Sequence, residues 1–433
     1  MFHPAIQPKN VRHTVITLHL SPHTLYLNII SMIKYADIIA AQQTMRDIIK
    51  STTLMPTKTF SKLAGTNILM KLENLQTTGS FKVRGAFNKI FHLTDEEKKC
   101  PVVAASAGNH AQGVAFSATK LGLKSSIFMP AFTPPTKVNA TRAYGAEVIL
   151  VGDSFDDAFA ASQEYCKTHN ATYIHPFNDP KIIAGQGVVG LEIFLQCPDV
   201  DTIIVPIGGG GLISGIAVAI KEMNPAVKII GVEAETTASM LASHQKGKMV
   251  SLPPAHSIAD GIAVKRPGDI TFEIVEKYVD ELITVSDTEI AHAAYLMLQR
   301  GKLLVEPSGA ATLAAAITRK SKLMGKMVVP VISGGNINMS LLQQIVEQGM
   351  CLEGLRSTIQ VIVPDQAGEL QKVLAIFDNL KINIQDIVHE RSINSVPVGH
   401  VMLLVTINLQ HKKQLEIIKG ELANKGLCCR VIH

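Results

Sequence analysis

Four times along this chain a short aliphatic run ends in a polar turn and a helical pattern begins, and this repeated order restricts the fold more than any other feature. The runs cover residues 69–72, 102–105, 202–207 and 327–332. The turns after them are residues 74–80, Ser106-Ala-Gly-Asn-His110, Gly208-Gly-Gly-Gly211 and Ser333-Gly-Gly-Asn336. A strand without polar alternation is buried on both faces, the mark of a parallel sheet covered by crossover helices. Runs at 125–129, 147–151 and 229–232 continue the rhythm. The expected fold class is therefore α/β with two parallel-sheet layers, and in such sheets ligands bind beyond the carboxyl ends of the strands.

The turns carry chemistry. Gly208 to Gly211 have no side chains, so backbone N–H groups can converge on an anion, and the helix that follows adds its unpaired amides and its dipole. The spacing is not the dinucleotide pattern G-x-G-x-x-G, because Ile213 and Ser214 fall where the third glycine belongs, and no Gly-Lys-Ser/Thr ending marks a P-loop. Alone, such a run reads as a flexible loop; a strand before it and a helix after it make it a phosphate cradle. The Ser333 hydroxyl can bond a ring nitrogen, and the amides and side chain around Asn109 can hold a carboxylate or a ring hydroxyl. Phe81, Val83, Ala86, Phe87 and Ile90 recur at helical spacing, which places Lys82 in the first turn of a helix. There the helix dipole, Arg84 and Lys89 are expected to disfavour its ammonium form and leave an amine able to form an imine.

In this order the motifs resemble the fold-type II pyridoxal-phosphate enzymes, and among them the threonine dehydratases. The resemblance rests on Gly-Ser-Phe-Lys82-Val-Arg-Gly-Ala, the Ser106, Gly208 and Ser333 turns, Ser257-Ile-Ala-Asp-Gly-Ile-Ala-Val264 and Val305-Glu-Pro-Ser-Gly-Ala310. It covers about residues 35 to 345 and implies a two-domain parallel-sheet core of the tryptophan synthase beta type, with a small subdomain of about residues 86–180 inserted in a catalytic region of residues 32–345. It also implies that Lys82 holds pyridoxal 5'-phosphate as a Schiff base beside Phe81. Gly208, Gly209, Gly210, Gly211 and Leu212 would bind its phosphate, Asn109 its ring hydroxyl and Ser333 its pyridine nitrogen. Ser106, Ala107, Gly108, Asn109 and His110 would receive an amino-acid substrate. His110 itself reads as a packing or backbone-bonding residue at a helix start. The implied reaction removes the Cα proton and the β-hydroxyl, converting threonine to 2-oxobutanoate and serine to pyruvate.

The close relatives differ at readable positions. Serine racemases resemble the same motif but carry a second serine where this chain has Ala107, and a methyl group cannot carry a proton on the opposite face. Metal-dependent relatives place an Asp shortly after the carboxylate that matches Glu233; here Ala-Glu-Thr-Thr-Ala-Ser239 follows, so no metal is expected, although Glu233 with Glu235 could still hold one. A serine racemase or serine dehydratase, and an amino-acid sensor that has lost catalysis, remain the competing readings.

After Asn338 the pattern changes to a βαββαβ order over residues 355–433 that resembles an ACT domain, with the turn Asp365-Gln-Ala-Gly368. That resemblance implies an amino-acid or nucleotide effector and a homodimer or homotetramer. Residues 400–407 alternate, an exposed-edge risk if that strand is left unpaired, which itself favours an oligomer.

Composition fits a globular enzyme: 433 residues, 47% hydrophobic, 18% charged and a net charge of +5 without a long basic run, which argues against nucleic acid. No apolar stretch reaches the ~18 residues of a membrane span. Six cysteines in no regular framework are expected as reduced, mostly buried thiols in a cytoplasm. Residues 1–31 contain no Asp or Glu and match neither a transit nor a secretory pattern, so they are expected to lie outside the folded protein, with Met32 as the start.

Overall fold

The computed structural model describes residues 33–319, 325–391 and 396–432; the 1–31 extension and the start at Met32 lie outside the described residues. Ten strands lie before residue 338 among the described residues: β1 (Leu54–Pro56), β2 (Asn67–Leu72), β3 (Val102–Ala105), β4 (Ser125–Met129), β5 (Glu147–Leu150), β6 (Thr172–Tyr173), β7 (Thr202–Pro206), β8 (Lys228–Ala234), β9 (Glu281–Val285) and β10 (Met327–Ile332). One sheet has the order β1-β2-β10-β7-β8-β9, and a second has the order β5-β4-β3-β6. Every pairing is parallel except that of β1 with β2. The aliphatic runs at 102–105, 202–207 and 327–332 thus occupy sheet interiors, with β3, β7 and β10 buried almost throughout.

Parallel pairing puts the carboxyl ends of β2, β10 and β7 on one edge of the larger sheet, so the loops before Lys82, after Ile332 and after Pro206 meet there. The Pro180–Gln196 helix and the Gly211–Met223 helix cover that sheet with their backbones in contact. A Cβ on Gly215 would stand 2.4 Å from the Ile183 carbonyl oxygen and 2.5 Å from the Gly187 nitrogen. Any side chain at Gly215 would therefore push the two helices apart.

Residues 356–431 form a separate antiparallel sheet from β11 (Arg356–Pro364), β12 (Asn383–Glu390), β13 (His400–Asn408) and β14 (Cys429–Val431) in the order β12-β13-β11-β14, with helices Glu369–Asn379 and Lys413–Asn424. The βαββαβ order holds, and the strand over 400–407 is not left unpaired. β13 is paired on both sides, with β11 and β12. Its alternation comes from one face covered by the two helices; the outer strands are β12 and the short β14. The thiols also differ from expectation: only Cys197 is fully buried and Cys428 is exposed, because Cys428 precedes a three-residue edge strand.

The Lys82–Phe91 helix is tied to both neighbouring elements by a cluster of four buried charges. Arg84 Nε donates to Glu73 Oε2 at 2.8 Å and Arg84 Nη1 to Glu192 Oε1 at 2.7 Å, while Lys71 Nζ lies 2.6 Å from Glu192 Oε2. Thr52 Oγ1 donates to Glu73, and the Lys50 and Thr52 carbonyls accept from Arg84 and Lys71. Burial would raise Glu73, but the charge and hydrogen bonds of Arg84, with Lys71 and Thr52, hold it below its usual value. Removing one partner of such a cluster leaves a buried charge uncompensated, at a cost of about 3–5 kcal/mol. Arg84→Met should therefore lower unfolding stability by about that much; urea denaturation checks it, and a loss below about 1 kcal/mol, the worth of a surface pair, would show that the cluster does not hold the helix.

Candidate active site

Lys82 is the first residue of its helix, and its Nζ donates to the Pro176 carbonyl at 3.0 Å and lies 5.2 Å from the centre of the Phe81 ring. Burial pushes its ammonium down to about 8, with the Glu306 carboxylate opposing the shift. The direction matches the expectation but the cause differs. Arg84 turns away into the Glu73 and Glu192 carboxylates, and Lys89 pairs with Asp179 at 2.8 Å, so both neighbouring charges are neutralised locally. Removal from water, not like charge along the helix, governs Lys82.

The loop that carries Lys82 is stitched to the turn after β10. Phe81 N donates to the Ser333 carbonyl at 3.1 Å, Gly335 N to the Gly79 carbonyl at 2.9 Å, and Ser80 bridges Gly334. Ser333 is 2% exposed. Phe81 packs on the core beside the glycine loop, and Leu212 sends its side chain into that same core. Only the backbone N–H of Leu212, in the first turn of the Gly211–Met223 helix, can face an anion.

Gly208 to Gly211 form a tight wall. Gly210 has φ +92°, and a Cβ on Gly209 would lie 2.4 Å from the Phe177 ring. Thr271 Oγ1 donates to the Gly209 carbonyl at 2.6 Å and fixes that peptide. A side-chain-free turn, clamped from behind and ending in a helix N-terminus, is what a phosphate group requires.

On the other sheet, Ser106 Oγ accepts from Gly108 N at 3.2 Å and the space beside Gly108 is open. Ala107 packs against the core of the smaller sheet. Asn109 Nδ2 donates to Glu306 Oε1 and Oε2 at 2.8 and 3.0 Å, while its Oδ1 accepts from Asn336 Nδ2 at 2.7 Å. His110 Nε2 donates to the Ile174 carbonyl at 2.8 Å, and burial, with Lys82 nearby, pushes it down to about 3. His110 is thus a neutral, backbone-bonded side chain, as its position at a helix start suggested. Glu233 caps the Ser239–Lys246 helix through the Met240 and Leu241 amides at 2.9 and 2.8 Å, so both its oxygens are taken.

The structure therefore brings Phe81, Lys82, the Ser106–His110 turn, the glycine loop and Ser333 to the facing ends of two sheets. It adds residues that sequence reasoning did not single out: Glu306, Asn336 and the His175-Pro-Phe177 turn. That last turn follows β6 as the others follow their strands, but a two-residue strand leaves too short a pattern to read. Glu306 lay inside a motif already noted, and its partner Asn109 is 197 positions away.

A family model described as pyridoxal-phosphate dependent enzyme matches residues 45–334, and this chain belongs to that family. Among curated relatives, an L-threonine ammonia-lyase from Thermotoga maritima is 45% identical over 401 residues, which is 93% of this chain and 100% of that protein. The processed form of threonine deaminase isoform 2 from Solanum lycopersicum has a similar structure, with a TM-score of 0.71 and 36% identity over 80% of this chain and 95% of that one. Maize serine racemase gives a TM-score of 0.70, also at 36% identity, over 74% of this chain and 98% of that one.

A lysine lowered to about 8 is neutral in about one molecule in ten at pH 7, against about one in three thousand for an ordinary lysine. Cofactor-free protein should accordingly take up pyridoxal phosphate at a rate that rises with pH and levels off above about 8. Stopped-flow absorbance measures this; a rate still climbing steeply at pH 10 would mean that Lys82 is not desolvated.

Proposed function

We propose that this chain is an L-threonine ammonia-lyase, converting L-threonine to 2-oxobutanoate and ammonium and L-serine to pyruvate. The observation that carries this reading is the identity of 45% over the whole of a relative so named, together with a desolvated Lys82 facing a glycine cradle.

Pyridoxal phosphate fits these residues, and when bound it supplies an aldehyde carbon that links to amines and a ring that draws electron density from Cα. Lys82 would anchor it, and its amine, kept near 8, is suited to take a proton from the substrate Cα. The amides of Gly208 to Leu212 would hold the phosphate. Ser333 would supply a hydroxyl to the pyridine nitrogen; a hydroxyl does not keep such a nitrogen protonated as a carboxylate does, which favours prompt elimination. Asn109 would donate to the ring hydroxyl, and the Ser106–His110 turn would receive the substrate carboxylate. The methyl group of Ala107 leaves one face without a proton carrier, which favours elimination over the racemisation named for the maize protein.

Residues 32–345 form the catalytic region, with about 86–180 as the smaller unit around the β5-β4-β3-β6 sheet, and residues 355–433 form an ACT-like regulatory unit. A cavity of about 270 Å³ lies at the Asp365–Gly368 turn with His389 and Arg391 on its wall, and Arg391 Nε donates to Asp365 at 2.9 Å. A zwitterionic amino acid can exchange partners with that ion pair, so we place the effector there. The exposed β12 edge suits pairing with a second copy in a homo-oligomer. No helix among the described residues is long and apolar enough to cross a membrane, and a cytoplasmic location agrees with the free thiols.

Lys82→Ala should lose at least about a hundredfold in 2-oxobutanoate formation, since anchor and base vanish together, while borohydride should no longer fix the cofactor to the chain. Coupled assay and peptide mapping read both, and a pyridoxyl label found elsewhere would overturn the assignment. Arg391→Ala should leave turnover without effector unchanged but abolish its response to isoleucine, valine or AMP, titrated separately. An unchanged response would move the effector away from this turn.

A further inference from the structure

Glu306 stands just ahead of the Pro307–Thr318 helix and is 5% exposed, yet no ion pair among the described residues includes it. An isolated carboxylate in such a place is costly, and burial pushes it up to about 7. What faces it is specific. Asn109 Nδ2 lies within 3.0 Å of both carboxylate oxygens, and Asp260 and Lys137, themselves paired at 3.0 Å, act on it with opposite signs. Its charge is also felt at Lys82. A Cβ on Gly334 would stand 2.3 Å from Glu306 Oε1, so the turn after β10 is shaped around this carboxyl.

The amide of Asn109 has one orientation in this setting. Asn336 Nδ2 donates to Asn109 Oδ1 at 2.7 Å and to the Thr78 carbonyl at 2.8 Å, so the oxygen end of Asn109 is occupied and its nitrogen end meets Glu306. This chain of bonds crosses four loops: the one before Lys82, the Ser106 turn, the Ser333 turn and the entry to the Pro307–Thr318 helix. An amide nitrogen has two protons, and one directed between the two carboxylate oxygens leaves the other for an oxygen acceptor.

We propose that Glu306 is a positioning residue for the reaction: it takes one proton of the Asn109 amide and so fixes where the other points, and its ionised form puts a negative charge in the surroundings of Lys82. This rests on the proposed role of Lys82. Glu306 touches neither substrate nor cofactor in this scheme and acts through Asn109 and through its field.

The test is Glu306→Gln, which keeps an oxygen for Asn109 and a similar shape but cannot ionise, with Glu306→Asp as the conservative control. An anion stabilises a nearby ammonium, so its removal lets Lys82 lose its proton at lower pH. Cofactor-free E306Q should therefore show the pH midpoint for pyridoxal-phosphate uptake moved down relative to wild type, and the loaded protein should lose up to about a hundredfold in kcat with KM much less affected. E306D should recover part of both. An unmoved midpoint with kcat within about twofold of wild type would overturn the inference. So would a variant whose only change is a lower melting temperature. Wild-type protein that never takes up the cofactor would instead defeat the reading on which the inference rests, and the two failures are told apart by that control.

Discussion

The site depends on where one helix starts, and that start is held by charges which never meet the ligand. Arg84 lies two residues after Lys82 and sits 1% exposed between Glu73 at the end of β2 and Glu192 on the Pro180–Gln196 helix. Lys71 balances the second carboxylate, so two cations and two anions close on one another with Thr52 and the Lys50 carbonyl filling further bonds. Hydrophobic packing alone would let the helix slide or rotate with little penalty; a bidentate guanidinium between two fixed carboxylates does not. The register of the Lys82 side chain against the Pro176 carbonyl follows from this lock.

The second constraint is the direction of the strands. Because β2, β7 and β10 run parallel, their following loops share one edge, and the hydrogen bonds from Phe81 to Ser333 and from Gly335 to Gly79 join two of those loops directly. The third loop contributes glycines where Phe177 leaves no room for a Cβ. The Ser106 turn and Phe177 come from the ends of β3 and β6 on the smaller sheet. The pocket is thus a seam between two sheet edges, and neither sheet carries the site alone.

The elements were legible where one local rule decides them. Doubly buried strands announce themselves by unbroken aliphatic runs, and the Lys82 helix by its apolar spacing, so those segments and their loops were read nearly to the residue. What was not legible is long-range pairing between polar residues. Arg84 beside Lys82 reads as electrostatic pressure on the amine until Glu192, 108 positions away, is seen to absorb its charge. Glu306 reads only as one residue of the Val305-to-Ala310 motif until Asn109 is placed against it. The alternation of β13 leaves open whether it is an edge until both its partners are placed, because a sheet with one covered face alternates everywhere, including its interior.

Lys82 and Arg84 show how one helix turn can hold two cations with opposite fates. Both lose water on folding, which penalises their charged forms. Arg84 recovers the loss from two carboxylates at 2.7–2.8 Å, and its guanidinium is held well above its usual value. Lys82 meets only a backbone carbonyl and the more remote Glu306. The histidines around it, His110 and His175, are both pushed down by burial and stay neutral, so neither adds a second cation nor masks the amine. His175 spends its Nδ1 on the Phe177 and Asn178 amides, as His110 spends its Nε2 on Ile174. The fold therefore withholds compensation at one position and concentrates it two residues later. A lysine made reactive by the lack of strong partners needs that neighbouring cluster to keep its helix in place, since no ion pair of its own can do so.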